Sequence, residues 1–174
     1  MEALKQGDQT AYAELVKRHA DRFLSVATRL MGNKVNAEDM VQEAFIKLLT
    51  GADKFNAEAG RFTTWFYRVV SNRCLDELRR KRPVALPEGY DKEDEKAQTD
   101  ASLLERDKQV VVRHALDMLS ERQKLAITLC YFEELSNKEA AEVMDINIKA
   151  LESLLARGRQ ALKSQLATQK SDLL

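Results

Sequence analysis

An all-α protein built as two small helical domains with a flexible acidic linker between them is the architecture predicted by the 174-residue sequence, and three observations lead to it. Apolar residues recur at spacings of three and four through most of the chain, the period of an amphipathic helix. Two capping signals, SERQ at 120–123 and SNKE at 136–139, open helices in the second half. Between the halves, PVALPEGYDKEDEKAQT breaks the helical pattern at Pro83, Pro87 and Gly89 and has too few apolar residues to bury a core. The domains are therefore expected over 1–82 and 101–174, with 83–100 as the linker, each half near the small end of what folds independently.

Taking the elements in order, Asp8 is a suitable cap for a helix to residue 31, with Leu15, His19, Phe23, Val26 and Leu30 at helical spacing and Gly32 as its stop. His19 reads as a surface or core-edge residue, and the helix as a support rather than a contact surface. Asn36 is the expected cap of the next helix, AEDMVQEAFIKLL, with Glu38 and Asp39 in its first turn, where the helix dipole favours acids. Val41, Ala44, Phe45 and Leu48 form its core stripe, while Asp39, Gln42, Glu43 and Ile46 form a second, mostly polar stripe. Spacing alone leaves that second stripe as either a solvated face or a docking face. After a loop at 54–60, a long helix begins near Phe62 or Thr63 and runs to Arg82. Phe62, Trp65, Phe66 and Val69 share one of its faces, with Phe66 and Val69 expected in the core. Arg61, Arg68, Asn72 and Arg79 gather on another, which suits phosphate and base.

In the second half, Leu104, Val111, Ala115 and Met118 stand at near-helical spacing in a helix expected at 101–119, and the helix after Ser120 carries Leu125, Ile127, Leu129 and Phe132. Ser136 starts a short helix with Ala140, Val143 and Met144 apolar, followed by a turn at Asp145-Ile146-Asn147 and a long second arm. This is a helix-turn-helix pattern. The second arm buries Ile148, Leu151, Leu155 and Leu162 by expectation, and turns Lys149, Glu152, Ser153, Arg157 and Arg159 outward.

Lysine plus arginine and aspartate plus glutamate both total 28, yet the charges are not evenly spread. Residues 61–82 carry a local excess of +5 and residues 83–107 a local excess of −5. Cys74 and Cys130, far apart and without neighbouring histidines, imply free thiols rather than a disulfide or zinc site. No leader, membrane span, phosphate-binding glycine loop or metal-ligand spacing is present in the sequence, so a cytoplasmic protein without catalysis, metal or cofactor is expected.

AEDMVQEAFIKLL followed by RFTTWFYRVVSNRCLDELRR resembles the second conserved region of the extracytoplasmic-function (group IV) RNA polymerase sigma factors of the sigma-70 family. SERQKLAITLCYFEELSNKEAAEVMDINIKALESLLARGRQAL resembles their fourth. The resemblance implies a factor that directs core RNA polymerase to a set of promoters and aids melting of the −10 element. It implies docking of the polymerase beta-prime clamp helices on Asp39, Gln42, Glu43 and Ile46, with the beta flap as a further polymerase contact. Contacts to the −10 strand fall on Arg61, Phe62, Trp65, Arg68, Asn72, Arg73, Arg79 and Arg80, with a base pocket in the preceding loop. Contacts to the −35 element fall on Lys149, Ala150, Glu152, Ser153, Arg157 and Arg159. An anti-sigma factor is a further implied partner, and the free chain is expected to be monomeric. The linker reads either as a soluble spacer or as a strand threading the polymerase cleft. Three positions depart from the family pattern: Asp145 for glycine, Glu152 for a basic residue and Leu154 for arginine. The alternative reading is a sigma-like mimic that sequesters an anti-sigma factor without binding promoter DNA. A simple helix-turn-helix repressor accounts for the second half only.

Overall fold

The structure is a computed structural model that describes residues 1–58, 60–81 and 103–172, with side chains described except in 103–109 and 168–172. The expected linker at 83–100, together with Arg82, lies outside the described residues. Every regular element among the described residues is helical.

A four-residue helix α1 (Glu2–Lys5), absent from the sequence expectation, places Leu4 in the core. Helix α2 (Gln9–Met31) is capped by Asp8, whose Oδ1 accepts the Thr10 and Ala11 N–H groups at 2.8 and 3.2 Å. It stops at Gly32, whose φ of 68° is the left-handed conformation that glycine adopts without strain. Helix α3 (Lys34–Gly51) begins one turn earlier than expected, because Asn33 rather than Asn36 is its cap. Asn33 Oδ1 accepts the Asn36 N–H at 3.0 Å, so Asn36 sits inside the helix and Glu38 and Asp39 fall a turn beyond its start. A 3₁₀ turn at Ala52–Lys54 leads to the loop before α4 (Phe62–Lys81).

Phe23 of α2 is fully buried among Phe45 of α3 and Phe66 and Tyr67 of α4, with ring centroids 6.5, 4.7 and 4.9 Å away in edge-on arrangements. Such geometry sets the positive ring edge against the negative face of its neighbour. Val41, Ala44, Phe45 and Leu48 are all buried, as their spacing predicts. Val69 is only half-buried, and Val70 takes the core position instead.

The second half consists of α5 (Leu103–Asp117), α6 (Glu121–Ile127) continuing into a π-helical turn at Thr128–Phe132, α7 (Asn137–Met144) and α8 (Ile148–Asp172). Both expected capping boxes form, at Ser120/Gln123 and Ser136/Glu139. Of the residues at near-helical spacing, Ala115 is buried, the Leu104 side chain lies outside the described residues, and Met118 is 58% exposed. Helix α5 ends at Asp117, so the chain turns and Leu116 and Leu119 enter the core in its place. Ile148, expected on the apolar face of its helix, is 46% exposed, and Phe132 is 39% exposed. Ile148 is the first residue of α8 and lies before the stripe formed by buried Leu151 and Leu155. Asp145 makes the turn with φ 55° and ψ 47°, and Asn147 Oδ1 accepts the Ala150 N–H at 2.8 Å. Gly158 lets α8 approach α6 closely, since a β-carbon there would lie 3.2 Å from Ile127 Cγ1.

The halves lie against each other. Glu133, buried at the end of the π-helical turn, accepts hydrogen bonds on Oε2 from Arg22 Nε at 3.0 Å and from the Tyr67 hydroxyl at 2.6 Å. Arg29 reaches its other oxygen at 3.4 Å, and the Arg29 guanidinium lies 4.3 Å from the centroid of Phe132. Burial and this carboxylate raise the Tyr67 pKa, so the phenol stays a donor. Helix α2 carries the two arginines that receive the other half of the chain.

Candidate nucleic-acid interface

The outer face of α3 presents Asp39, Gln42 and Ile46 to solvent, with Ile46 53% exposed. Leu49 and Val35, 52% and 58% exposed, add apolar area to the surface of this helix. Glu43 differs from its expected neighbours. Its Oε2 accepts from Arg73 Nε, and that bond holds the Glu43 carboxyl below its usual range. One pair therefore joins a residue expected at the polymerase dock to one expected at the DNA face, and the Arg73 guanidinium is half-buried between carboxylates, with Glu77 as its second partner.

Helix α4 positions the remaining basic residues. The Arg61 and Arg68 side chains are 83% and 44% exposed, and Asn72 is exposed. Toward the C-terminus, Arg79 pairs with Asp76 at 3.6 Å and Arg80 with Glu77 at 2.9 Å. Glu77 is buried at the centre of Arg73, Arg80 and Lys81, and the Arg80 hydrogen bond leads the causes that lower its pKa. Hence the last turn of α4 is partly neutralised, whereas Arg61, just before the helix, and Arg68, in its second turn, line a cavity together with Lys54.

That cavity, about 200 Å³, opens between residues 54–56 and 60–61 on one side and α4 on the other, with Glu142 of α7 also in its lining. Phe55 and Trp65 supply apolar walls, and Asn56, Arg61 and Arg68 supply polar edges. The Phe55 and Trp65 ring centroids are 5.6 Å apart, and Phe62 stacks on Phe66 at 5.4 Å, so an aromatic cluster fixes the floor. His19 joins it at the core edge, 5.5 Å from Phe62, and burial lowers its pKa. Sequence reading missed Phe55 and Asn56 as cavity residues. An aromatic-polar pair in a loop bounded by Gly60 was the available signal.

On α8, Lys149, Glu152, Ser153, Arg157 and Arg159 are all exposed and Ala150 is half-buried. Arg157 Nε donates to the Ser153 carbonyl at 3.3 Å and Arg159 Nη1 to the Tyr131 hydroxyl at 3.2 Å. Leu154 is half-buried against the core, so an apolar side chain is accommodated at that position.

Two sequence families match these halves in order: residues 15–84 match sigma-70 region 2, and residues 103–162 match sigma-70 region 4. The extracytoplasmic-function sigma factor SigW of Bacillus subtilis is 30% identical over 174 residues, covering 94% of this chain and 92% of SigW. The chain belongs to the extracytoplasmic-function RNA polymerase sigma factors. The sigma factor SigE of Mycolicibacterium smegmatis is 37% identical over 177 residues, covering 95% of this chain and 66% of SigE. In fold, this sigma factor resembles CnrH, solved in complex with the cytosolic domain of CnrY, with a TM-score of 0.73 at 23% identity over 96% of this chain and 94% of CnrH. It also resembles RpoE of Bartonella quintana, solved in complex with the anti-sigma factor NepR, with a TM-score of 0.68 at 20% identity over 90% of this chain and 97% of RpoE. Among the described residues of this sigma factor, no helix is long and apolar enough to cross a membrane.

Proposed function

We propose that this sigma factor acts in the cytoplasm as a promoter-specificity subunit with no chemistry of its own. In this reading the core polymerase docks on α3 through Asp39, Gln42 and Ile46, with Glu43 serving partly to hold Arg73. The carrying observation is the cavity before α4, whose Phe55 and Trp65 walls and Arg61 and Arg68 edges suit one unstacked base with its flanking phosphates. Stacking on aromatics and backbone tracking by arginines stabilise a melted strand without any fuel. Asn72, exposed on the same helix, is the candidate for a base-edge contact.

Upstream contact falls to the start of α8 and to Lys149, Arg157 and Arg159, with Glu152 facing a cytosine amino group or standing off the DNA. An anti-sigma factor completes the scheme as the partner that holds the protein inactive. The test is run-off transcription by purified core polymerase on a promoter library. The parent is expected to direct initiation at a defined promoter class, and Trp65→Ala with Arg68→Ala to abolish it while polymerase binding persists. Unchanged initiation by that variant would remove the cavity from the mechanism.

A further inference from the structure

Helix α7 lies across the same face of α4 that carries the cavity. Its acids Glu139, Glu142 and Asp145 recur every third residue and so share one edge of the helix and the turn that ends it. Asp145 Oδ2 is 3.2 Å from Arg68 Nη2, and Glu139 Oε1 is 3.8 Å from Arg61 Nη1. Glu142 lines the cavity, with Oε1 3.5 Å from where a β-carbon on Gly60 would stand. These carboxylates meet the two arginines placed to receive phosphates. The capping box at Ser136 fixes the Glu139 side chain and keeps its carboxyl below the usual range, so the charge persists near neutral pH.

A second attachment, Glu133 between Arg22, Arg29 and Tyr67, fastens the halves at a point that lines no part of the cavity. We propose that α7 is a resident occupant of the single-strand site, its acidic edge standing in for phosphates, and that Glu133 latches it there. DNA must displace this edge to enter, so the free protein binds a single strand more weakly than its basic face allows. The inference rests on the assignment of the α4 cavity to DNA.

Fluorescence anisotropy of a labelled mixed-sequence single strand, with the full chain at low salt, tests both levels. Glu142→Gln/Asp145→Asn should bind about three- to tenfold tighter than Glu2→Gln/Asp21→Asn, which removes the same charge from exposed positions on α1 and α2. Glu133→Gln should tighten binding relative to Asp21→Asn, although it faces no DNA. Adding Arg61→Ala/Arg68→Ala should erase each gain. If the α7 variant only matches its charge control while Arg61→Ala/Arg68→Ala still weakens the parent, the occupant idea is overturned and the cavity assignment stands. If the arginine substitutions change nothing in any background, or no variant binds, the cavity assignment fails and the occupant idea with it. Circular dichroism of each variant confirms that helicity is retained.

Discussion

Helices α3 and α4 are neighbours in one small core, yet their outward faces are in opposite states. On α3, Asp39, Gln42 and Ile46 face solvent, whereas on α4 the arginines at the head of the helix already face carboxylates from the other half of the chain. In the proposed scheme the α3 face stands open for a large protein partner, to which exposed Ile46, Leu49 and Val35 offer apolar area. A basic surface that accepts any phosphate is better covered until it is needed. The covering is electrostatic and part-exposed, which makes it weak enough to be displaced, since exposed ion pairs contribute about 0.2–1 kcal/mol each.

Removing the shared scaffold breaks the contrast altogether. Phe66→Ala deletes a fully buried ring that touches Phe23, Phe45 and Phe62, and should cost about 3–5 kcal/mol in urea unfolding. Next in size, Glu133→Ala removes the carboxylate that accepts from the Tyr67 hydroxyl, Arg22 Nε and Arg29, and leaves Arg22 only its bond to the residue-133 carbonyl at 3.2 Å. Loss of charge-assisted bonds is expected to cost about 1.5–3 kcal/mol, read as faster amide exchange in α4 and α6 with the helices intact.

A smaller effect sharpens the contrast within α3 itself. Asp39→Ala and Gln42→Ala should each shift stability by no more than about 0.5 kcal/mol while weakening polymerase capture. Glu43→Ala should also destabilise measurably, because Arg73 loses its closest carboxylate and keeps only Glu77 at 3.6 Å. The smallest effect is a pH dependence. The Glu43 carboxyl is held low in the folded state by Arg73, so its contribution is present above the unfolded value of about 4.3 and is lost as pH falls through the folded value. Thermal melts below about pH 4.3 should therefore decline less steeply in Glu43→Gln than in the parent.

Local chemistry made much of the fold legible. Asp8, Ser120 and Ser136 cap the helices they were expected to cap, because each cap is a bond to a backbone group two or three residues away. Asn33 and Asn36 offer the same side chain three residues apart, and helical spacing does not choose between them. Met118 has core spacing but follows the end of α5, so its register was lost with a boundary that only tertiary packing fixes. At the site, the arginine stripe of α4 was readable, whereas the diversion of Arg73 to Glu43 depends on a neighbouring helix. Glu133 carried no readable signal at all, since its partner Arg22 lies 111 residues earlier.

The central claim is that α7 rests on the α4 cavity in the free protein and leaves it when a single strand enters. Spin labels on Asp53→Cys, exposed and outside the cavity lining, and Lys138→Cys, with Cys130→Ser to remove the half-buried thiol, report the separation directly by pulsed electron resonance. Buried Cys74, whose thiol is pushed up to about 12, stays unlabelled. The account predicts one narrow, short distance in the free protein that lengthens on adding single-stranded DNA and lengthens without DNA in Glu133→Gln/Asp145→Asn. A distribution that is already broad and long in the free parent, or a short distance that persists when DNA is bound, contradicts it.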